Sequence, residues 1–524
     1  MKALVSLAVV LACGALSSPA SAADNSTYHG DQLRSGWNAQ ETVLTPAALQ
    51  AHGLKRKFAV SVDGVVFGQP LIAAGEVTPA GTHDLAIVAT MKDYVYALDA
   101  ESGALVWRAK LFGHGYTPVP YGYTACEIAP TYGIVSTPVI DRSLDTMWVV
   151  TTVYGGGPTK RMYYFLHALS LSSGADLRTP VEISGSVQEP GGTEPFIPDV
   201  QTQRPALVEA NGNIYVAFGS ICDYNANLYH GWVFAYNDAT FAQVGIYNAS
   251  PTLAPPSSPS GGTYYGGIWM DGDGLAVDPL DGSLIFAVGN GTFDNSISFG
   301  DSVVRVASNL SQTLDYFTPY TVNTDNEYDA DLGSGGIMLL PDAPNSSLHL
   351  ATIQGKDGVL TLMNRENLGK YTPGGPDNVL SEIALGGVWS SPAYWTDGNG
   401  NEFVFATGGP LYEVRVGRSP PSLSVVGQTV EGYPQDNGNG ATPTVSSNGN
   451  AASSAIVWIV QTTYASGAPE PLTLYGYAIT NLSSPIVHLS LGTWNLANSY
   501  RVPTVANGLV YVAGEHSLIA YGLR

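Results

Sequence analysis

Residues 67–111, FGQPLIAAGEVTPAGTHDLAIVATMKDYVYALDAESGALVWRAKL, constrain the chain more than any other stretch. Short runs rich in Val, Ile, Tyr and Trp are separated by Met91-Lys92-Asp93 and by Glu101-Ser102-Gly103. Apolar runs of that length between turn residues are consecutive antiparallel strands, not helices. A small sheet with two apolar faces cannot bury itself alone. It needs copies of itself on both sides.

The copies are present. Gly68-Gln69-Pro70 opens the first, and Ser136-Thr137-Pro138 the second. Gln203-Arg204-Pro205, Gly267-Ile268-Trp269 and Leu332-Gly333-Ser334 open the next three. Trp389-Ser390-Ser391-Pro392, Ala441-Thr442-Pro443 and Arg501-Val502-Pro503 open the last three. The starts recur at intervals of about 50–70 residues. Each is followed by a clear second strand, such as LAIVAT, MWVVTT, IYVAFG and LIFAVG. The pattern predicts an all-β fold, an eight-bladed β-propeller of four-stranded antiparallel blades. The eighth copy stops after its third strand, while LKRKFAVSV (54–62) is a strand with no partner before it. Pairing the two completes the eighth blade and removes two exposed sheet edges. The expected organisation is a signal peptide over 1–22, an N-terminal arm over 23–53 and the propeller over 54–524. Thr45-Pro46 within the arm predicts the start of one short helical turn.

Composition bears on compartment and partners. Lys2, the apolar run from Ala3 to Ala12 and the small residues Ala20-Ser21-Ala22 read as an export signal cleaved before Ala23, with lipid attachment at Cys13 as the alternative. The expected location is secreted or periplasmic, with no transmembrane segment. The formal charge of −22 repels phosphate backbones, so nucleic acid is excluded as a partner. Cys126 and Cys222 remain after cleavage, either as a disulfide or as two free thiols. No HExxH and no close histidine pair point to zinc. His230 starts a third strand where a loop can deliver it to the central funnel or leave it structural.

VYALDAESGALVW resembles the tryptophan-docking repeat of the pyrroloquinoline quinone (PQQ) dehydrogenases, and the resemblance spans nearly the whole chain. GGIWMDGDGLAVDPLDGSLIFAVGNGTFD resembles that family's fourth-blade stretch. The resemblance implies Trp269 as the flat floor under the quinone and Asn290 as a calcium ligand. GKDGVLTLMNREN implies Lys356 as the cation beside the quinone oxygens. The family's catalytic Asp falls within 323–331, where Asp325 and Asp331 are candidates. Arg204 and Arg501 are candidates for the cofactor's carboxylates. Each also has an ordinary role: blade packing for Trp269, a left-handed turn for Asn290, a solvated hairpin for Lys356. Two departures stand out. Only Cys126 stands where the family has adjacent cysteines, and Lys160 and Arg161 stand where it has a calcium-binding Glu. Calcium is therefore not expected.

Three functions follow as expectations. The first is a divergent quinoprotein oxidoreductase of alcohols or sugars, using PQQ. The second is a propeller that binds a small polar ligand, glycan or protein without catalysis. The third is a polysaccharide lyase or hydrolase. In all three, a ring of Gln69, Ser136, Arg204, Trp269, Asp331, Trp389, Thr442 and Arg501 is expected around one mouth of the axis.

Overall fold

The computed structural model describes residues 23–124, 129–189, 192–221, 229–251, 265–344, 346–433, 439–462, 470–496 and 499–524. Residues 1–22, Cys126 and Cys222 lie outside them.

Eight four-stranded antiparallel blades are arranged as a propeller. The first shows the pattern: Leu71–Thr78, Gly81–Ala89, Tyr94–Asp99 and Leu105–Lys110, each strand hydrogen-bonded to the next. The two middle strands of a blade are apolar on both faces because both faces are covered by neighbouring blades. In the second blade Thr146–Gly155 is almost wholly buried. Burying both faces is what lets so small a sheet persist, at roughly 25 cal/mol for each Å² of apolar surface removed from water. Polar groups dock one blade on the next. Trp107 on the outer strand of the first blade donates its indole N–H to the Leu171 carbonyl of the second at 2.7 Å. Tyr511 of the eighth donates to the Ala100 carbonyl of the first at 3.0 Å.

The ring closes between the ends of the chain, as the unpaired strand predicts. Leu54–Ser61 pairs antiparallel with Ser517–Leu523, with Leu54 opposite Leu523 and Ser61 opposite Ser517. Just before it, Pro46–His52 is helical, capped by the Thr45 hydroxyl accepting from the Ala48 N–H.

Residues 23–41 do more than lead into this strand. They wind once around the axis and touch the innermost strand of each blade in turn. The Ala23 N–H donates to the Asn507 side chain in the eighth blade. Asn25 bridges Ile72 in the first, and the Ile140 N–H of the second donates to the Ser26 carbonyl. Gln32 reaches the Glu209 carbonyl in the third and accepts from the Val277 N–H in the fourth. Leu33, Ser35 and Gly36 accept from Leu339, Tyr394 and Val445 in the fifth, sixth and seventh. Trp37–Asn38 then pairs parallel with Val445 and Ser446, and Asn38 and Glu41 return to Val505 and Gly508 in the eighth.

The arm thereby plugs the axis. Arg34 is wholly buried there. Its guanidinium donates to the Leu275 carbonyl at 3.0 and 3.1 Å, the Tyr28 carbonyl at 3.0 Å and the Thr27 hydroxyl at 2.8 Å. Tyr28, His29 and Ser35 are buried around it.

Deleting residues 54–61 should expose an edge on the eighth blade and open the ring. Calorimetry should then show the melting temperature of the whole domain falling as one transition. An unchanged melting temperature would show that ring closure contributes nothing.

Candidate functional site

The mouth opposite the arm is built from the fourth and fifth blades. The backbone at the fourth-blade start passes through left-handed conformations at Met270 (φ 41°) and Asp271 (φ 54°). Non-glycine residues in succession with such angles are strained, and strain of this kind gathers at functional sites. The turn leaves Trp269 half-buried at the mouth and sends Asp271 down to the axis.

Trp269 donates its indole N–H to Asp331 Oδ1 at 3.1 Å. Gly289 makes this contact possible: a Cβ there would stand 2.8 Å from both Asp331 Oδ1 and Trp269 Nε1. The other Asp331 oxygen lies 2.7 Å from Lys356 Nζ, and Asp329 Oδ1 lies 3.2 Å from the same ammonium. Asn290 Nδ2 donates to Asp329 Oδ1 at 3.0 Å. Trp269, Asn290, Asp331 and Lys356 thus form one connected group, with Asp329 as its link. Trp389 meets Trp269 edge to face, ring centres 5.2 Å apart. The Lys356 ammonium is 4.7 Å from the Trp389 ring centre and 5.5 Å from that of Trp269. The Arg204 guanidinium lies 4.7 Å from the Trp269 ring centre. Two indoles and two cations therefore share one mouth, an arrangement suited to cation–π contact and to a flat anionic guest.

Lys356 stands on the hairpin turn between Leu350–Ile353 and Val359–Asn364, as its ordinary reading has it, but is not solvated. Trp269 is not packed in a blade core, Asn290 does not take a left-handed turn conformation, and the Lys356 side chain is only 15% exposed. Arg501 is buried at the start of the eighth blade. Its guanidinium is buried over the Trp494 ring, 3.2 Å from the ring centre, with no hydrogen-bond acceptor among the described residues. Burial holds its pKa well below arginine's ordinary value.

The predicted ring divides into two layers. Below the tryptophans, Gln69, Ser136 and Thr442 are buried along the axis, not at the mouth. Ser136 donates to Gln203, and Thr442 to Asp271 at 3.4 Å. Arg204 reaches Asp271 from above at 3.6 Å, and Asp273 accepts from Ser391 at 3.1 Å. The fifth-blade glycines fit here, since a Cβ on Gly336 would stand 2.1 Å from Asp273 Oδ2. The physical cause of the division is Tyr28, which the arm pushes up beneath this layer.

Asp325 sits apart from Trp269. It lies on the helix Val322–Tyr328 and accepts from the Thr321 hydroxyl at 2.6 Å. Burial raises its pKa to about 6. Its electrostatic neighbour is Asp301, wholly buried, which accepts the Leu332 N–H at 2.7 Å and so anchors the segment carrying Asp331. Asp301 was missed as a site residue, although FGDSVVRV (299–306) continues the resemblance in the sequence. Asp329 belongs to the same 323–331 stretch as Asp331. His230 is interior, its ring nitrogens 2.6 Å from the Ser250 carbonyl oxygen and 3.3 Å from Glu194. Lys160 and Arg161 lie at a second-blade hairpin against Tyr154 and Tyr163, and Arg161 also meets Glu182.

No family model and no curated protein matches the chain. Solved structures do. Over 95% of this chain and 80% of the other, it superposes on the quinohemoprotein alcohol dehydrogenase of Comamonas testosteroni, with a TM-score of 0.62 at 12% identity. A quinohemoprotein alcohol dehydrogenase from Pseudomonas putida HK5 gives 0.56 at 13% identity over 95% and 80%. A europium-containing methanol dehydrogenase gives 0.57 at 12% identity over 95% and 98%. The fold is thus the eight-bladed propeller shared with these dehydrogenases. Among the described residues no helix is long and apolar enough to cross a membrane.

The buried carboxyls predict a pH dependence. Burial pushes Asp273 up to about 7 against the opposing pull of Arg34, and Asp357 likewise to about 7. Each holds its proton more tightly folded than unfolded. The stabilisation is complete below the ordinary carboxylate range and is lost as pH rises through about 7, at roughly 1.4 kcal/mol per pH unit per group. His29, held neutral by burial, has the opposite sign, but only below its ordinary value. The melting temperature should therefore fall between about pH 4.5 and pH 7, with His29 offsetting part of the fall below its ordinary value, and level off above about pH 8; Asp273→Asn should reduce that fall. An identical profile in the variant would remove Asp273 from the account.

Proposed function

We propose that the chain is an exported quinoprotein-type oxidoreductase of an alcohol or sugar, with PQQ in the funnel. One observation carries the reading: Trp269, Asn290, Asp331 and Lys356, from two blades, converge in a single bonded group. The mouth suits a planar, carbonyl-rich anion. Trp269 offers a flat apolar surface, Lys356 a cation for carbonyl oxygens, and Arg204 and Arg501 cations for carboxylates. The donor set suits calcium poorly. A hard cation wants six to eight oxygens, whereas Asp331 and Asp329 already face an ammonium and Asn290 offers one neutral oxygen.

Bound there, the quinone would supply the two-electron acceptor. Asp331 is the base of this proposal, oriented by Trp269 on one oxygen and Lys356 on the other to take a hydroxyl proton from the substrate. Asp325 is the lesser candidate, set back with Asp301. Support for export comes from the signal segment of the sequence.

The competing reading, a propeller that binds a small polar ligand, glycan or protein without redox chemistry, draws on the same ion pairs, because Lys356, Asp329 and Asp331 satisfy one another's charge. The lyase or hydrolase reading loses its histidine, since His230 is interior.

Absorbance titration with PQQ, with calcium and with a chelator, separates the readings. The wild type should bind without calcium and oxidise an alcohol or sugar in a dye-linked assay. Lys356→Ala and Trp269→Ala should each weaken binding at least about tenfold. Strictly calcium-dependent binding would overturn the ligand assignment. No binding under any condition would favour the non-redox reading.

A further inference from the structure

The arm creates a second cavity, of about 490 Å³, between its own two ends and the innermost strands of the seventh and eighth blades. It is separate from the funnel. Tyr28 lies between them, lining a small gap with Arg204 on one side and stacking on His29, 4.6 Å between ring centres, on the other. His29, Asn25, Trp37 and Gln69 line the larger cavity, and Asp24, Gly30 and Gln40 expose its rim to solvent. Its volume lies within the range of small-molecule sites, roughly 300–1,000 Å³.

Two polar atoms here are unfilled. His29 is 1% exposed, and its Nδ1 lies 3.2 Å from the Arg34 carbonyl oxygen. The ring proton therefore sits on Nδ1, and Nε2 presents a lone pair. That nitrogen has no hydrogen-bond partner among the described residues, and neither does the buried amide nitrogen of Asn25. Burial and Arg34 keep the imidazole neutral, lowering its pKa to about 3. One site thus wants a donor and the other an acceptor. A hydroxyl group is both. The carboxylates of Asp24 and Asp31 in the lining disfavour an anion, and the half-buried Trp37 offers an indole for the apolar face of a sugar ring.

We propose that this cavity is a second binding site, on the arm face of the axis, for a neutral polyhydroxylated ligand of about the size of one sugar ring. It does not depend on the quinone reading.

Saturation-transfer NMR of the full chain with D-glucose, D-galactose, D-xylose and myo-inositol tests it. At least one should bind saturably. Asn25→Leu should weaken that binding about tenfold, and Ala39→Trp should abolish it by filling the cavity. Trp269→Ala in the funnel should leave it unchanged. If Ala39→Trp fails to fold, Asn25→Leu decides, because the Asn25 backbone bridge to Ile72 does not need the side chain. No saturable binding of any probe would overturn the proposal and leave a water-filled gap. Binding lost in Trp269→Ala but kept in Asn25→Leu would overturn it too, placing the sugar in the funnel.

Discussion

The guanidinium of Arg34 is the interaction on which the two faces of the molecule depend. Eight blades around a ring leave a polar axis lined by the first strand of each. A buried arginine there is costly unless its donors are paired. Arg34 meets the carbonyls of Leu275 and Tyr28 and the Thr27 hydroxyl, joining the fourth blade to the arm that carries it. The arm reaches all eight blades by hydrogen bonds, so the ring is closed twice. The strand Leu54–Ser61 closes it at the outer end of the eighth blade, and residues 23–41 close it at the axis.

The plug also shapes the chemistry. With Tyr28 buried beside Asp271 and Asp273, the axis is filled below the tryptophans and cations. The acidic composition makes this gathering of cations against indoles informative. A chain with few cations places Arg204 and Lys356 against the same indole and buries Arg501 over another. Fold alone does not decide function, but this placement of charge is a property of the site.

The blades were legible because strand periodicity and turn residues are local signals, repeated eight times. Ring closure was legible because one strand lacked a partner at each end of the chain. Trp269 and Lys356 were legible through the motifs around them, and Asp331 through its place in an acidic run. The arm's path was not. Most of its contacts use backbone groups, which every residue possesses, so TYHGDQLRSGWN carries no periodicity to read. Asp301 was hidden for a related reason: its role is to accept a backbone N–H from Leu332, thirty-one positions away. Gln69, Ser136 and Thr442 were placed at the mouth because blade starts converge there. They lie deeper because the arm fills the axis below them.

Hydrogen exchange of the intact protein, followed by mass spectrometry over residues 25–41, tests the central claim most directly. The backbone N–H groups of Asn25 and Gly36 are bonded to Ile72 and His29, inside a plug that can open only when the ring does. The account predicts protection matching that of the inner blade strands and lost with them in one cooperative step. Exchange of this segment as fast as that of surface loops, with the blades still protected, would contradict it.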